Sequence, residues 1–382
     1  MTSYDAIVVG AGPAGASAAQ ALAAGGARVL LLEKARLPRY KPCGGGLTAR
    51  SLGGSPLVAG FQPETRAATI RLAHGSSEVQ ATVSTAVHMV MRDRFDAFLT
   101  QQAAASGADV RDGCSLDALD LDGSTVRVRA GADALQTRYL IGADGANGVT
   151  ARLAGFPPGT AAAAAIEVEV EVDARQHADY RDAALFDFGA LSGGYGWIFG
   201  KSGYLSAGVG AFGAGTGREL RPSLAQFLEQ PALRGGKVVR RKGHRIPLAG
   251  SRTHYRRGSV LLAGDAAGLA DPLTGEGICY ALASGRRAGA TVLAALQGGQ
   301  EALAGYDRYL QQTLGGDLRY ARWIARLAYR YPELLLRVLA GRPGLLQLAI
   351  AAVGGNAEYR ALAMRLLRGV PKVVKYIKLG DA

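Results

Sequence analysis

The sequence predicts an α/β fold with an α+β insertion: a discontinuous Rossmann-like domain, an inserted antiparallel sheet and a C-terminal helical region. Three observations predict it. Buried-strand sequences run straight into glycine turns at three distant places: YDAIVVG (4–10), TRYLIGADGANG (137–148) and GSVLLAGDAAG (258–268). Between them, residues 66–90 and 163–215 alternate in the manner of half-buried strands. Beyond about residue 285 the pattern is helical throughout.

Taken in order, the β-branched run at 4–10 is a buried strand, and GAGPAG leads into an Ala/Leu-rich helix to about Ala24. ARVLLLEK (27–34) is a second buried strand. Strand, helix and strand within roughly 30 residues make a βαβ unit and therefore a parallel pair. PRYKPCGGG (38–46) can only be a loop, and RDRFDAFLTQQAAASG (92–107) is a helix. Residues 108–130 read as strands around turns at Asp112-Gly113 and Asp122-Gly123. IEVEVEV (166–172) alternates strictly, which predicts Glu167, Glu169 and Glu171 exposed on one face.

Composition narrows the class. A length of 382 residues suits two or three domains, and 48% hydrophobic with 20% charged residues is ordinary for a folded protein. Cys43, Cys114 and Cys279 are too few and scattered for a disulfide framework or a CxxC metal site. His74, His88, His177, His244 and His254 show no metal spacing, so no metal is expected. No basic region precedes the first apolar run, so no cleaved signal peptide is expected. No stretch reaches the ~20 apolar residues of a spanning helix, and a cytoplasmic setting is expected.

The net charge of +13 is concentrated at the end. From Arg319 onward twelve basic residues face three acidic ones, so nine of the thirteen net charges lie there. Arg319, Arg322, Arg326 and Arg330 share one helical face, with Trp323, Ile324 and Leu327 beside them, and MRLLRGVPKVVKYIK (364–378) repeats the mixture. A basic amphipathic helix suits an anionic membrane surface, and a solvated helical cap is the alternative. No nucleic-acid module is recognisable, so no nucleic acid is expected.

Gly10, Gly12 and Gly15 form G-x-G-x-x-G between strand and helix, the arrangement that brings a pyrophosphate against a helix N-terminus. Glu33 ends the second strand, where a carboxylate accepts from ribose hydroxyls, so FAD or NAD is favoured over NADP. Two further turns choose FAD. Asp144 and Gly145 sit at one strand end, and Asp265 at another, placed to accept from a ribityl hydroxyl. The Gly275–Gly277 turn and following helix can present N–H groups to a flavin carbonyl. Helix capping is the plainer reading of each Asp.

These motifs resemble flavoproteins of the p-hydroxybenzoate hydroxylase type and, within them, the geranylgeranyl reductase family. The general part is VVGAGPAG, the Glu33 strand, GADGANG and AGDAAGLADPLTGEGI; the specific part is KPCGGGL (41–47) and GYGWIFGK (194–201). The resemblance implies FAD contacts by Ala14, Glu33, Cys43, Gly44, Arg94, Asp265, Gly277 and Ile278. Gly10, Gly12, Gly15, Lys34, Gly45 and Gly275 complete the expected cofactor set. It also implies reduction of isoprenoid double bonds, with hydride from the reduced flavin and a proton from an acid or water. NADPH, NADH or a ferredoxin would supply electrons. Gly200 stands where the family's aromatic motif has proline, which bears on pocket shape.

The expected organisation follows: FAD-binding parts at 1–65, 91–158 and 251–300, substrate-domain strands at 66–90 and 159–250, and a basic helical region at 301–382. Cys43, in a loop thinned by glycines, can tune the flavin or relay a proton, or be structural. Cys114 and Cys279 are read as structural. Tyr195, Trp197 and Phe199 alternate along one strand face as the wall of an apolar tunnel or as plain core, and Tyr195 and Trp197 are expected to stabilise positive charge on the substrate. Arg94 opens a helix, where a cation is disfavoured unless it serves an anion; a surface arginine is the alternative. An aromatic hydroxylase or halogenase on the same fold is the second reading, although only Trp197 matches the halogenase W-x-W-x-I-P pattern. A flavin-bearing lipid-binding protein is the third.

Overall fold

The computed structural model describes residues 2–123, 125–212 and 218–369. The strands in chain order are β1 (Thr2–Val9), β2 (Val29–Glu33), β3 (Gly46–Leu47), β4 (Thr65–His74), β5 (Ser77–Met89), β6 (Asp109–Asp112), β7 (Leu116–Asp122) and β8 (Thr125–Ala130). They continue as β9 (Asp133–Gly142), β10 (Ala162–Glu171), β11 (Ala183–Asp187), β12 (Gly194–Lys201), β13 (Tyr204–Ala211), β14 (Lys237–Pro247), β15 (Arg256–Arg257) and β16 (Val260–Leu262). The longer helices are α1 (Pro13–Ala24), α2 (Arg92–Ala105), α3 (Ile278–Gly298), α4 (Gly315–Arg330), α5 (Pro332–Ala340), α6 (Pro343–Val353) and α7 (Tyr359–Gly369).

The first sheet has the order β15-β16-β9-β1-β2-β6, with β8 added beside β9 and β7 beside β8. Strands β16, β9, β1, β2 and β6 run parallel, and their apolar residues are almost wholly buried. This is the behaviour of strands covered on both faces. Helix α1 packs against α3, where Ser17 Oγ donates to Leu282 O at 2.9 Å. A Cβ on Gly15 would lie 1.7 Å from the Gly10 carbonyl oxygen, so only glycine lets the helix start this close to the strand.

The second sheet has the order β14-β10-β13-β12-β11-β4-β5-β3. All pairings are antiparallel except β11 with β4. The inserted sheet is antiparallel as expected, apart from this one parallel pair. The connection from β4 to β11 passes through part of the first sheet, long enough to bring the chain back in the same direction.

The exposure expected for the glutamates of β10 is corrected. Glu171, at the strand end, is exposed, but Glu167 and Glu169 are each only 5% accessible. Strand β10 is interior to its sheet. Val168 and Val170 fill a core cluster with Leu224 and Phe227 on one face, and the loop around residues 40–45 covers the other.

In the C-terminal layer the apolar faces of α4 to α7 turn inward. Arg319, Arg322, Arg326 and Arg330 are exposed, whereas Ile324 and Leu327 belong to the core. The apolar residues expected beside the arginines as a membrane-facing stripe are therefore already packed. The basic segment at 364–378 continues beyond residue 369, outside the described residues. Among the described residues no helix is long and apolar enough to cross a membrane.

Candidate active site

A cavity of about 490 Å³ lies between the two sheets. It collects Gly10, Gly12 and Ala14 from the first turn, Glu33 and Lys34 from the end of β2, and Cys43, Gly44 and Gly45 from the glycine loop. Asp265, Gly275, Gly277 and Ile278 reach it from the turns before α3, and Tyr195, Trp197 and Phe199 from β12. Residues spread over some 270 positions of sequence meet here because each closes a strand or opens a helix facing the gap.

At the nucleotide-type end, Glu33 is buried at the close of β2. Its Oε2 accepts from the Ala11 N–H at 2.9 Å and its Oε1 from the Ala35 N–H at 3.1 Å, with Arg39 Nε 3.4 Å away. The carboxylate thus holds both neighbouring turns while keeping lone pairs for a further donor. Asp144 accepts from the N–H and the hydroxyl of Thr150, at 2.8 and 2.9 Å, and its other oxygen is buried with no partner among the described residues.

Arg94 does not reach the cavity. Its guanidinium pairs with Glu64, and its side chain is 61% accessible. The arginine that α2 does bring to the cavity is Arg92, 5% accessible and bound through both ends of its fork to Asp96 at 2.8 Å; Arg39 lines the cavity as well. Two residues along a helix turn the side chain by roughly 200°, so the two arginines face opposite ways. Arg39 joins Asp96 at 2.9 Å, and against burial, Asp96 and the nearby Cys43 favour the charged form of Arg92. Arg92 and Asp96 escaped sequence reasoning although their i, i+4 spacing is a readable pairing signal.

Asp265 sits in the turn after β16 with Lys41 Nζ at 3.7 Å and His244 Nε2 at 3.9 Å. Burial pushes its carboxyl upward, but Lys41, His244 and Arg92 outweigh that and hold it at about 2. His244, set aside at the sequence level, lines the cavity from β14; burial lowers its pKa. Its signal was the alternation that puts it on the same strand face as Lys242 and Ile246.

The aromatic side is continuous. Phe186 lies 5.4 Å from both Tyr195 and Phe199, Tyr195 stacks on Phe212 at 5.4 Å, and Phe212 stacks on Tyr329 at 5.1 Å. The Tyr195 hydroxyl donates to the Thr274 carbonyl, which ties the wall to the turn before α3, and burial raises its pKa. Trp197 Nε1 is buried without a partner among the described residues. A Cβ on Gly200 would lie 2.2 Å from the Tyr180 carbonyl oxygen. Glycine at this position therefore admits a close backbone approach.

A glycine turn at a helix N-terminus, a buried acid at the next strand end, and a thin loop facing aromatic rings fit a dinucleotide carrying a flat ring system. The partnerless Asp144 oxygen and Trp197 N–H add polar atoms awaiting a ligand. Comparison with known proteins agrees. The FAD binding domain family matches residues 3–190. The geranylgeranyl diphosphate reductase of Rhodobacter capsulatus is 31% identical over 315 residues, covering 78% of this chain and 77% of that protein.

The chain belongs to the geranylgeranyl reductase family of FAD-dependent oxidoreductases. Protein FixC of Escherichia coli K12 is also 31% identical, over 389 residues, covering 88% of this chain and 89% of that one. Among solved structures, a geranylgeranyl bacteriochlorophyll reductase-like protein from Thermoplasma acidophilum superposes with a TM-score of 0.81 at 22% identity, covering 99% of each chain. A flavin-dependent brominase superposes at 0.74 with 18% identity, covering 97% of this chain and all of the other. The geranylgeranyl reductase family thus shares its fold with a flavin-dependent brominase. The choice between those chemistries rests on the side chains in the cavity.

Proposed function

We propose that the protein is an FAD-dependent reductase that saturates C=C bonds of a geranylgeranyl or related isoprenoid chain. The observation that carries this reading is the aromatic wall. Phe186, Tyr195, Trp197, Phe199 and Phe212 face the glycine loop, and past Phe186 and Tyr195 a second, nearly all-apolar pocket begins. That pocket runs between Leu72 and Leu273 on one side and Ile324, Leu335 and Leu362 of the helical layer on the other. It holds only about 40 Å³, so it marks the direction an apolar chain would take and not a space that already contains one.

Gly10, Gly12, Ala14 and Glu33 would hold the dinucleotide end of FAD, with Gly15 letting α1 start close to β1 behind them and Asp265, Gly275, Gly277 and Ile278 toward the ring. Bound FAD, once reduced by NADPH, NADH or a ferredoxin, supplies hydride. The faces of Tyr195 and Trp197 stabilise positive charge developing on an alkene. Cys43, in the glycine loop packed against that wall, would act as proton relay, and the apolar surround excludes water and fixes the chain.

The test is mass spectrometry of lipids co-purifying with the protein, before and after dithionite. A gain of two hydrogens per double bond supports the reading and names the substrate. A product that forms only with oxygen supports the hydroxylase or halogenase reading. Retained FAD with no turnover points to a lipid carrier. Cys43→Ala is expected to keep FAD but slow turnover.

The exposed arginines of α4 also support peripheral docking on the inner face of an anionic membrane. With Ile324 and Leu327 in the core, attachment would be electrostatic.

A further inference from the structure

Cys43 lies in a loop without regular structure, between Pro42 and three glycines, yet that loop is gripped by two charged side chains. Glu167 Oε2 accepts the Cys43 N–H at 2.5 Å and lies 3.3 Å from the Tyr40 hydroxyl. Its Oε1 accepts from Ser206 Oγ at 3.0 Å. Lys201, 1% accessible, donates through Nζ to the Gly44 carbonyl at 2.6 Å and to the Val90 carbonyl at 3.0 Å.

We propose that Glu167 is a positioning residue that fixes the Cys43–Gly44–Gly45 loop in the cavity wall through the Cys43 N–H, with Lys201, on the same face of the sheet, completing the clamp at the Gly44 carbonyl. Two buried charges next to a glycine loop are costly unless they are paired and fully hydrogen-bonded. Here each makes one bond to the loop backbone, and the remaining bonds go to Tyr40 and Ser206 for Glu167 and to the Val90 carbonyl for Lys201. A glycine-rich segment has the most conformational freedom to lose, so an ordered conformation needs such anchors. The loop N–H and C=O groups are what the clamp reads, while the Cys43 thiol is left to Arg92 and the cavity.

The proposal rests on FAD occupying the cavity, and the test needs no prenyl substrate, so it can fail without the reductase reading failing. Two readouts on the holoprotein are decisive: iodoacetamide alkylation of Cys43, followed by peptide mass mapping to separate it from Cys114 and Cys279, and the midpoint potential of bound FAD. Glu167→Asp keeps the charge but is one methylene too short for the Cys43 N–H. It is expected to speed Cys43 alkylation severalfold with the potential little changed. Glu167→Gln removes a negative charge beside the cofactor site and is expected to raise the potential as well. Should the Gln variant lose FAD, Lys201→Met supplies the charge arm, with a potential shifted downward. Wild-type alkylation in the Asp variant, or an unshifted potential in the charge variant, overturns the proposal.

Discussion

Gly44 and Phe199 pack so closely that a Cβ added to Gly44 would lie 2.7 Å from the Phe199 ring, and the Trp197 ring nitrogen is 3.4 Å from the same point. The glycine loop and the aromatic wall are therefore one packed unit, and the side chain that would separate them is missing. Gly44→Ala must push Phe199 aside at a cost of about 1–3 kcal/mol. Thermal melts should show the loss, and Phe199→Leu in the same chain should recover part of it. A melt identical to wild type would mean the wall yields freely.

Glu33→Ala removes a carboxylate that orders Ala11, Ala35 and Arg39 and that we propose as the ribose acceptor. A charge-assisted hydrogen bond is worth about 1.5–3 kcal/mol, so FAD affinity should fall tenfold or more. Flavin fluorescence titration of the apoprotein measures it, and equal affinity would place the dinucleotide elsewhere.

Arg92 and Arg94 should behave differently. Arg92→Met strands Asp96 in the interior with Arg39 as its remaining partner, and breaking a buried pair costs about 3–5 kcal/mol. Arg94→Met removes an exposed guanidinium, 61% accessible, from a Glu64 side chain that is only 6% accessible. Its cost should exceed the about 0–1 kcal/mol of a surface pair yet stay below that of Arg92→Met. Denaturant melts and flavin content of the two variants compare them directly. Equal losses would reverse the assignment made here.

Lys201 makes stability depend on pH. Burial lowers its ammonium from 10.5 to about 8, against the pull of Glu167, Cys43, Glu64 and Glu169. Below about 8 both folded and unfolded chains hold the proton and the burial cost is fully present. Above it the folded chain releases the proton first, so the unfolded chain binds more and stability rises with pH. Relative to Lys201→Gln, wild type should gain about 1 kcal/mol between pH 8 and pH 9. A constant difference across that range would show that Lys201 titrates elsewhere.

Replacing Arg319, Arg322, Arg326 and Arg330 by Gln should release the protein from anionic vesicles at low salt, since each basic residue near such a surface contributes about 1 kcal/mol. Arg322 also donates to the Ala249 carbonyl, so a triple variant that keeps Arg322 separates docking from anchoring of α4. Vesicle co-sedimentation is the readout. Wild type that stays in the supernatant would remove the docking idea.

What the sequence by itself determined were the features whose signals are local. A glycine spacing between a strand and a helix, an acid at a strand end, and aromatics at every second residue are set by backbone geometry over a few residues. These lead to Gly10, Glu33, Asp265 and the Tyr195–Trp197–Phe199 face. Tertiary structure alone decided what covers each face. Alternation puts Glu167 and Glu169 on one side of β10, but their burial comes from a loop more than a hundred residues away. Helical phase separates Arg92 from Arg94, but only the packed cavity says which side is inside. The same holds for Ile324 and Leu327, whose apolar face suits a bilayer or a core equally until the sheet fills the space. A periodic pattern fixes which residues point together; the free energy of burying them depends on a partner surface that distant parts of the chain must supply.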